Sequence, residues 1–141
     1  MTLPGTPEPP DVNAAAFNAR VDDVFARIAG RYDVLCDLFS LGLHRLWKRR
    51  VARYIAAEPW QHMLDVAAGT GDVAIRLIPL MPPSDGRLMI VSDLCPEMLR
   101  IAERRTARFG VPVEFRVLDA HAMPTVASGS IDLYSMSLAL K

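Results

Sequence analysis

The chain predicts an α/β domain built on a parallel sheet, and three observations carry that expectation. Short apolar runs at 63–67, 88–92, 113–118 and 131–137 alternate with helical periodicity at 73–80 and from 96 to about 109. Strands that alternate with helices need crossover connections, which gives parallel strands of the Rossmann type. The first run leads into a loop with glycines at 69 and 71, and the second ends on Asp93. Finally, 141 residues at 51% hydrophobic and 23% charged suit one domain with a real core rather than a disordered chain.

The elements follow in order. Residues 1–13 hold Pro4, Pro7, Pro9 and Pro10 and read as a disordered lead-in. With no Lys or Arg before Arg20 and no apolar stretch, this start does not resemble a signal peptide. Phe17, Val21, Val24, Phe25 and Ile28 fall on one face of a helix ending near Gly30. Leu35, Leu38, Phe39 and Leu41 mark a short second helix stopped at Gly42. Leu43, Trp47, Val51, Tyr54 and Ile55 trace a third apolar stripe, which ends before Pro59. These helices form an N-terminal unit, 14–62, ahead of the sheet at 63–141. The 43–57 helix also carries Arg45, Lys48, Arg49, Arg50 and Arg53. Such a helix could lie on an anionic bilayer, although a solvated charged face is the commoner reading. Within the sheet region, Pro82-Pro83 stops the 73–80 helix, Pro96 opens the next one and Gly110 ends it.

Composition excludes several function classes. Sixteen basic and sixteen acidic residues give zero formal charge, which argues against a dedicated nucleic-acid binder. Cys36 and Cys95 are too few for a disulfide scaffold and have no C-x-x-C metal spacing. Two unpaired thiols fit a reducing cytoplasm. No uncharged apolar run approaches the roughly eighteen residues of a membrane span, and no metal site is expected.

The chemistry is expected in the loop 65–72, D-V-A-A-G-T-G-D. With Ala74 it satisfies G-x-G-x-x-A, the dinucleotide fingerprint, which is weak alone. Asp93 stands where an acidic residue grips a ribose diol. Charge separates two ligands. A pyrophosphate wants helix-terminal N–H groups without nearby carboxylates, yet Asp65 and Asp72 flank this loop. S-adenosylmethionine brings no phosphate, but an ammonium, a sulfonium and a diol, so it fits the acidic pattern better. Asp72 could instead complement the helix dipole. Asp65, inside a strand, is harder to dismiss because an unpaired buried carboxylate is costly.

These residues carry a resemblance to a known family. Segment 24–33 (V-F-A-R-I-A-G-R-Y-D) and segment 40–48 (S-L-G-L-H-R-L-W-K) resemble the N-terminal signature of the ubiquinone/menaquinone C-methyltransferases, UbiE/MenG type. L-D-V-A-A-G-T-G-D at 64–72 resembles that family's L-D-x-A-x-G-T-G-D, and Asp93 with Met98-Leu99 its D-x-x-x-x-M-L. Asp119-Ala120 before Met123-Pro124 is similar to the adenine-side segment, and Ile131-Asp132 with Ser137 to the fourth-strand motif. The likeness covers about residues 20 to 141. It implies a class I methyltransferase fold with strand order 3-2-1-4 and a helical lid. It also implies that Gly69, Thr70, Asp93, Asp119, Ala120 and Ser137 contact S-adenosylmethionine. The acceptor would be a lipophilic, polyprenylated benzoquinol or naphthoquinol, methylated at a ring carbon.

Such a ring becomes nucleophilic as a phenolic proton leaves, so placement and at most a weak base suffice. Tyr32 is the candidate hydroxyl beside the quinol, its alternative being plain packing under the lid. His44 and His121 stand isolated and are expected to be non-catalytic. Cys95, before the helix at Pro96, is expected to be a cap or a buried thiol rather than an acidified one.

The sequence departs from the family at its end. Lys141 follows directly on the fourth strand, where family members continue, and occupies the place of an arginine near the quinol. The expectation is therefore a piece of a longer enzyme or a shortened product lacking much of the acceptor pocket. Its fourth strand would be an apolar edge prone to self-association. Alternatives are a non-catalytic S-adenosylmethionine-binding remnant, a methyltransferase of another small-molecule class and, against the acidic loop, an NAD-binding domain.

Overall fold

The structure, a computed structural model, describes Val24, Arg27, Arg31, Val34, 38–82 and 86–137. The lead-in at 1–13, most of the 17–28 helix, Tyr32, Cys36 and Lys141 lie outside the described residues. Four strands, β1 (His62–Val66), β2 (Leu88–Asp93), β3 (Val113–Val117) and β4 (Leu133–Met136), lie in the order β3-β2-β1-β4. All three pairings are parallel, with Asp65 opposite Val91 on one side and Ser135 on the other. The expected order and parallel direction of pairing are those found. The third run ends one residue sooner than expected, at Val117, and the fourth is shorter at both ends. Asp132 precedes β4 and spends its Oδ2 on the backbone N–H groups of Gln61 and His62, both at 2.9 Å.

Three helices lie wholly within the described residues, α1 (Leu43–Ala57), α2 (Ala74–Leu77) and α3 (Pro96–Thr106), and residues 38–40 ahead of them are helical too. The single helix expected at 73–80 passes into a 3₁₀ turn at Ile78–Leu80. Pro79 there has no N–H to return to an upstream carbonyl, so the α ladder stops. α3 likewise ends in a 3₁₀ turn, Ala107–Phe109, closed by Gly110 at φ 64°.

Alternation along the strands sends side chains to two cores. Met63, Met89 and Val91 meet Ala52 and Ile55 of α1, Leu77 of α2, and Leu99 and Ala102 of α3. Leu64, Val66, Ile90 and Leu118 pack on the opposite face with Ala120, Met123, Ile131 and Met136. Both faces are thus covered, as a parallel sheet requires.

α1 corrects the expected stripe. Leu43, Trp47 and Tyr54 are exposed, whereas His44, Lys48, Ala52 and Ile55 form the buried face. The rotation has an electrostatic cause: Lys48 Nζ reaches Asp72 Oδ2 at 3.0 Å. A lysine read as part of a solvated face is therefore the residue that seats the helix.

Candidate functional site

The candidate residues gather where open α/β sheets bind ligands, outside the carboxyl ends of the strands. β1 ends at Val66 and releases the loop 67–73. Within it Ala67, Gly69 and Gly71 all have left-handed backbone, with φ of 51°, 58° and 77°. For alanine this costs on the order of 1–2 kcal/mol. Gly71 is required twice over, because a Cβ there would lie 2.8 Å from the Ala102 Cβ of α3. Gly69 needs its glycine for φ alone: a Cβ would meet nothing within 4 Å.

β2 fastens this loop. Ala68 N–H donates to Ser92 O at 2.9 Å and Gly69 N–H to Asp93 Oδ2 at 2.8 Å. Asp93 Oδ1 accepts from Cys95 N–H at 2.9 Å. The carboxylate thus shapes the loop and the start of α3 while remaining partly open to solvent. Cys95 is buried, and burial first of all pushes its thiol up. It is no acidified nucleophile, as expected.

The two carboxylates flanking the loop have different surroundings. Asp65 is buried; Ser135 Oγ donates to its Oδ1, while Oδ2 has no hydrogen-bond partner among the described residues. Burial raises its carboxyl to about 6, against the smaller downward pull of Ser135 and Lys48. Asp72 is ion-paired to Lys48 at 3.0 Å, Arg105 at 3.0 Å and Arg76 at 3.1 Å, with His44 Nε2 lying 3.8 Å away. Burial alone would raise Asp72 too, but the Lys48, Arg76 and Arg105 cations outweigh it and hold it at about 2. The structure therefore separates the two carboxylates that flank the loop, with Asp72 committed to its own chain's cations. Only Asp65 has an uncommitted oxygen.

Thr70 is buried, and its Oγ1 accepts from Arg105 Nη1 at 2.7 Å. Asp119 lies exposed beyond β3, its Oδ1 accepting from His121 N–H at 2.9 Å and lying 3.0 Å from the His121 ring. Those hydrogen bonds, the backbone one first, hold its carboxyl below the usual range. Ala120 packs on the second core. Ser137 follows β4 directly, its Oγ buried and without a hydrogen-bond partner among the described residues. Since Val66 pairs with Met136, Ser137 lies beside the start of the loop.

Sequence reasoning missed Lys48, Arg105 and Ser135. It also took both histidines as isolated, whereas His44 Nδ1 lies 2.7 Å from Ser40 Oγ and His121 faces Asp119. Arg76, four residues after Asp72 on a helix, was readable as an ion pair. Among the described residues no group of three metal-ligating side chains occurs, and no helix is long and apolar enough to cross a membrane.

The model of the ubiE/COQ5 methyltransferase family matches residues 13–141. A ubiquinone/menaquinone biosynthesis C-methyltransferase of Rubrivivax gelatinosus is 39% identical over 122 residues, covering 86% of this chain and 45% of its own length. The Paracoccus denitrificans counterpart is 39% identical over 124 residues, covering 86% and 48%. The chain thus spans about half the length of the curated relatives it matches. Among solved structures, a Geobacter sulfurreducens S-adenosylmethionine-dependent methyltransferase in complex with S-adenosylhomocysteine superposes with a TM-score of 0.52. It is 20% identical, covering 65% of this chain and 36% of that one, and so speaks for the fold alone.

Proposed function

Because the chain belongs to the ubiE/COQ5 methyltransferase family, we propose that it binds S-adenosylmethionine at the carboxyl edge of its sheet and serves methyl transfer to a prenylated quinol. The observation that carries the cofactor reading is Asp65, a buried carboxylate with one oxygen paired to Ser135 and the other without a hydrogen-bond partner among the described residues. An orphaned anionic oxygen below a glycine loop suits an ammonium and repels a pyrophosphate. The donor set fits the rest of the cofactor. Asp93 keeps lone pairs for a ribose diol, the space beside Gly69 admits a close backbone approach, and Asp119, Ala120 and Ser137 bound the edge at the next two strands. Thr70 contributes through its backbone position, its hydroxyl being engaged by Arg105.

When bound, S-adenosylmethionine supplies an electrophilic methyl on sulfonium. The chain's own part is placement: it anchors the ammonium and the ribose and fixes the loop between them. Tyr32 is the hydroxyl proposed for the acceptor side. Prenylated quinols reside in bilayers, and the exposed Leu43, Leu46 and Trp47 lie on the helix that carries Arg45, Arg49, Arg50 and Arg53. We therefore assign α1 a peripheral contact with an anionic membrane from the cytoplasmic side. The outer side of β4, unpaired among the described residues, is the proposed edge for self-association.

Calorimetry tests the cofactor reading. Wild-type chain should bind S-adenosylmethionine in preference to NADH, and Asp93→Ala should weaken it by about 1.5–3 kcal/mol. Tighter binding of NADH would return the loop to the dinucleotide class.

A further inference from the structure

We propose that Arg105 is a positioning residue for the cofactor loop, and that the Lys48–Asp72 ion pair makes this positioning depend on how α1 is seated. The proposal rests on the S-adenosylmethionine reading above and concerns residues that make no contact assigned to the cofactor itself.

The geometry starts on α3. Arg105 Nη1 donates to Thr70 O at 3.0 Å and to Thr70 Oγ1 at 2.7 Å, and Nη2 donates to Asp72 Oδ1 at 3.0 Å. One planar guanidinium thereby holds the residues on both sides of Gly71, a bidentate task for which a lysine has no matching fork. One turn earlier on the same helix, Ala102 takes the close approach of Gly71. α3 is therefore a mould for the loop, a small residue under the glycine and a fork across its neighbours. Gly69 and Gly71 gain their left-handed backbone at the cost of conformational freedom. A loop braced in advance has that freedom removed before a ligand arrives, which raises affinity without any new contact to the ligand.

The second arm comes from α1. Arg105 and Arg76 occupy Asp72 Oδ1, whereas Lys48 occupies Oδ2. Lys48 is buried, its side chain 10% exposed, so solvent screens the pair little. A displacement of α1 that withdraws Lys48 leaves the carboxylate held through Oδ1 alone, by Arg76 and by the fork of Arg105, so the fork loses the brace on the far side of the group it grips. His44, one turn before Lys48, approaches the same oxygen at 3.8 Å. The helix that bears the exposed apolar side chains Leu43, Leu46 and Trp47 is in this way joined to the cofactor loop through the Asp72 carboxylate. Coupling of this kind is reciprocal: whatever seats α1 strengthens cofactor binding, and bound cofactor seats α1.

The test measures S-adenosylmethionine affinity by calorimetry and thermal midpoint on the same samples of the 141-residue chain. Arg105→Met should weaken binding about tenfold or more, with Arg105→Lys falling between it and wild type. Lys48→Met, on a different element, should weaken binding about three- to tenfold. The Lys48→Met/Arg105→Met double variant should bind no worse than Arg105→Met alone within about twofold, because both act along one path. A merely structural role would lower the thermal midpoints and leave affinity within about twofold of wild type, which overturns the proposal while the cofactor reading stands. Additive affinity losses overturn the link between α1 and the loop. If Arg105→Met does not fold, Arg105→Lys decides: wild-type affinity in it overturns the role of the fork. Wild-type chain that binds no S-adenosylmethionine overturns both the reading and the proposal.

Discussion

Asp65 and Asp72 stand seven positions apart on the two sides of one glycine loop, are both buried, and have opposite surroundings. Asp65 has one hydroxyl and an orphaned oxygen; Asp72 has three cations within 3.1 Å. Burial dominates the first and raises it to about 6, whereas cations overcome burial in the second and bring it to about 2. The difference teaches which carboxylate is architecture and which is free for chemistry. A carboxylate already compensated by its own chain has little to offer a cationic ligand, and one left uncompensated destabilises the fold until a ligand arrives.

The comparison can be broken most violently at Asp72. Asp72→Ala strands the buried Lys48 beside Arg76 and Arg105, and an uncompensated buried charge costs about 3–5 kcal/mol. Urea denaturation should show a loss of that size. A loss below about 1 kcal/mol would mean the network is as weak as an exposed ion pair.

Asp65→Asn sharpens the contrast in the other direction. The folded carboxyl at about 6 holds its proton more tightly than the unfolded one at 3.8. Stability from this group is therefore complete below about pH 4, is lost as pH rises from 4 to 6, and is flat above. The asparagine should gain about 1–3 kcal/mol over wild type at pH 7 and lose that advantage by about pH 4, while S-adenosylmethionine affinity falls. Asp72 runs oppositely: its contribution is full above about pH 4 and is lost as pH falls through 4 to 2. Denaturation of wild type and variant across about pH 2 to 8, on the order of one melt per unit, separates the two windows.

Ser135→Ala should have the smallest effect. It removes the hydroxyl that lowers Asp65, so the loss should be about 1 kcal/mol at pH 7. The upper edge of the Asp65 window should move to higher pH, read as an upward shift of the stability midpoint. An unchanged midpoint would show that the hydroxyl does not tune the carboxylate.

Much of the fold was legible because its signals are local. Apolar runs bounded by Gly42, Pro82 and Gly110 place the elements, and the alternation of strands and helices places them in one parallel sheet. Asp93, Gly69 and Gly71 were legible because backbone geometry and strand ends restrict residue type. The cation cage was not, since Lys48 and Arg105 lie 24 and 33 positions from Asp72, and charged residues at helical spacing look the same whether they face water or a partner. The α1 stripe misled for the same reason. Hydrophobic periodicity alone put Leu43, Trp47 and Tyr54 inside, but a buried carboxylate turned the helix by drawing in a lysine. The Ser135–Asp65 pair needed the register of β1 on β4, which no spacing within the chain discloses.

The link from Asp132 to Gln61 and His62 has a consequence for the order in which the sheet assembles. β1 finds β2 after a span of 26 residues at the His62–Leu88 pair, but it finds β4 only across a span of 70. Closing the longer loop costs more chain entropy, though only logarithmically so, and its reward arrives only when the last strand docks. The Asp132 carboxylate meets the amide just before β1, at Gln61, and the first amide of the strand, at His62, and can hold β4 in register before the ladder zips. β4 is accordingly expected to join the sheet last and to leave it first. Its amides should exchange with solvent through smaller openings than those of β1, so a cofactor that recruits Ser137 would use part of its binding energy on closing that seam and would protect those amides in return.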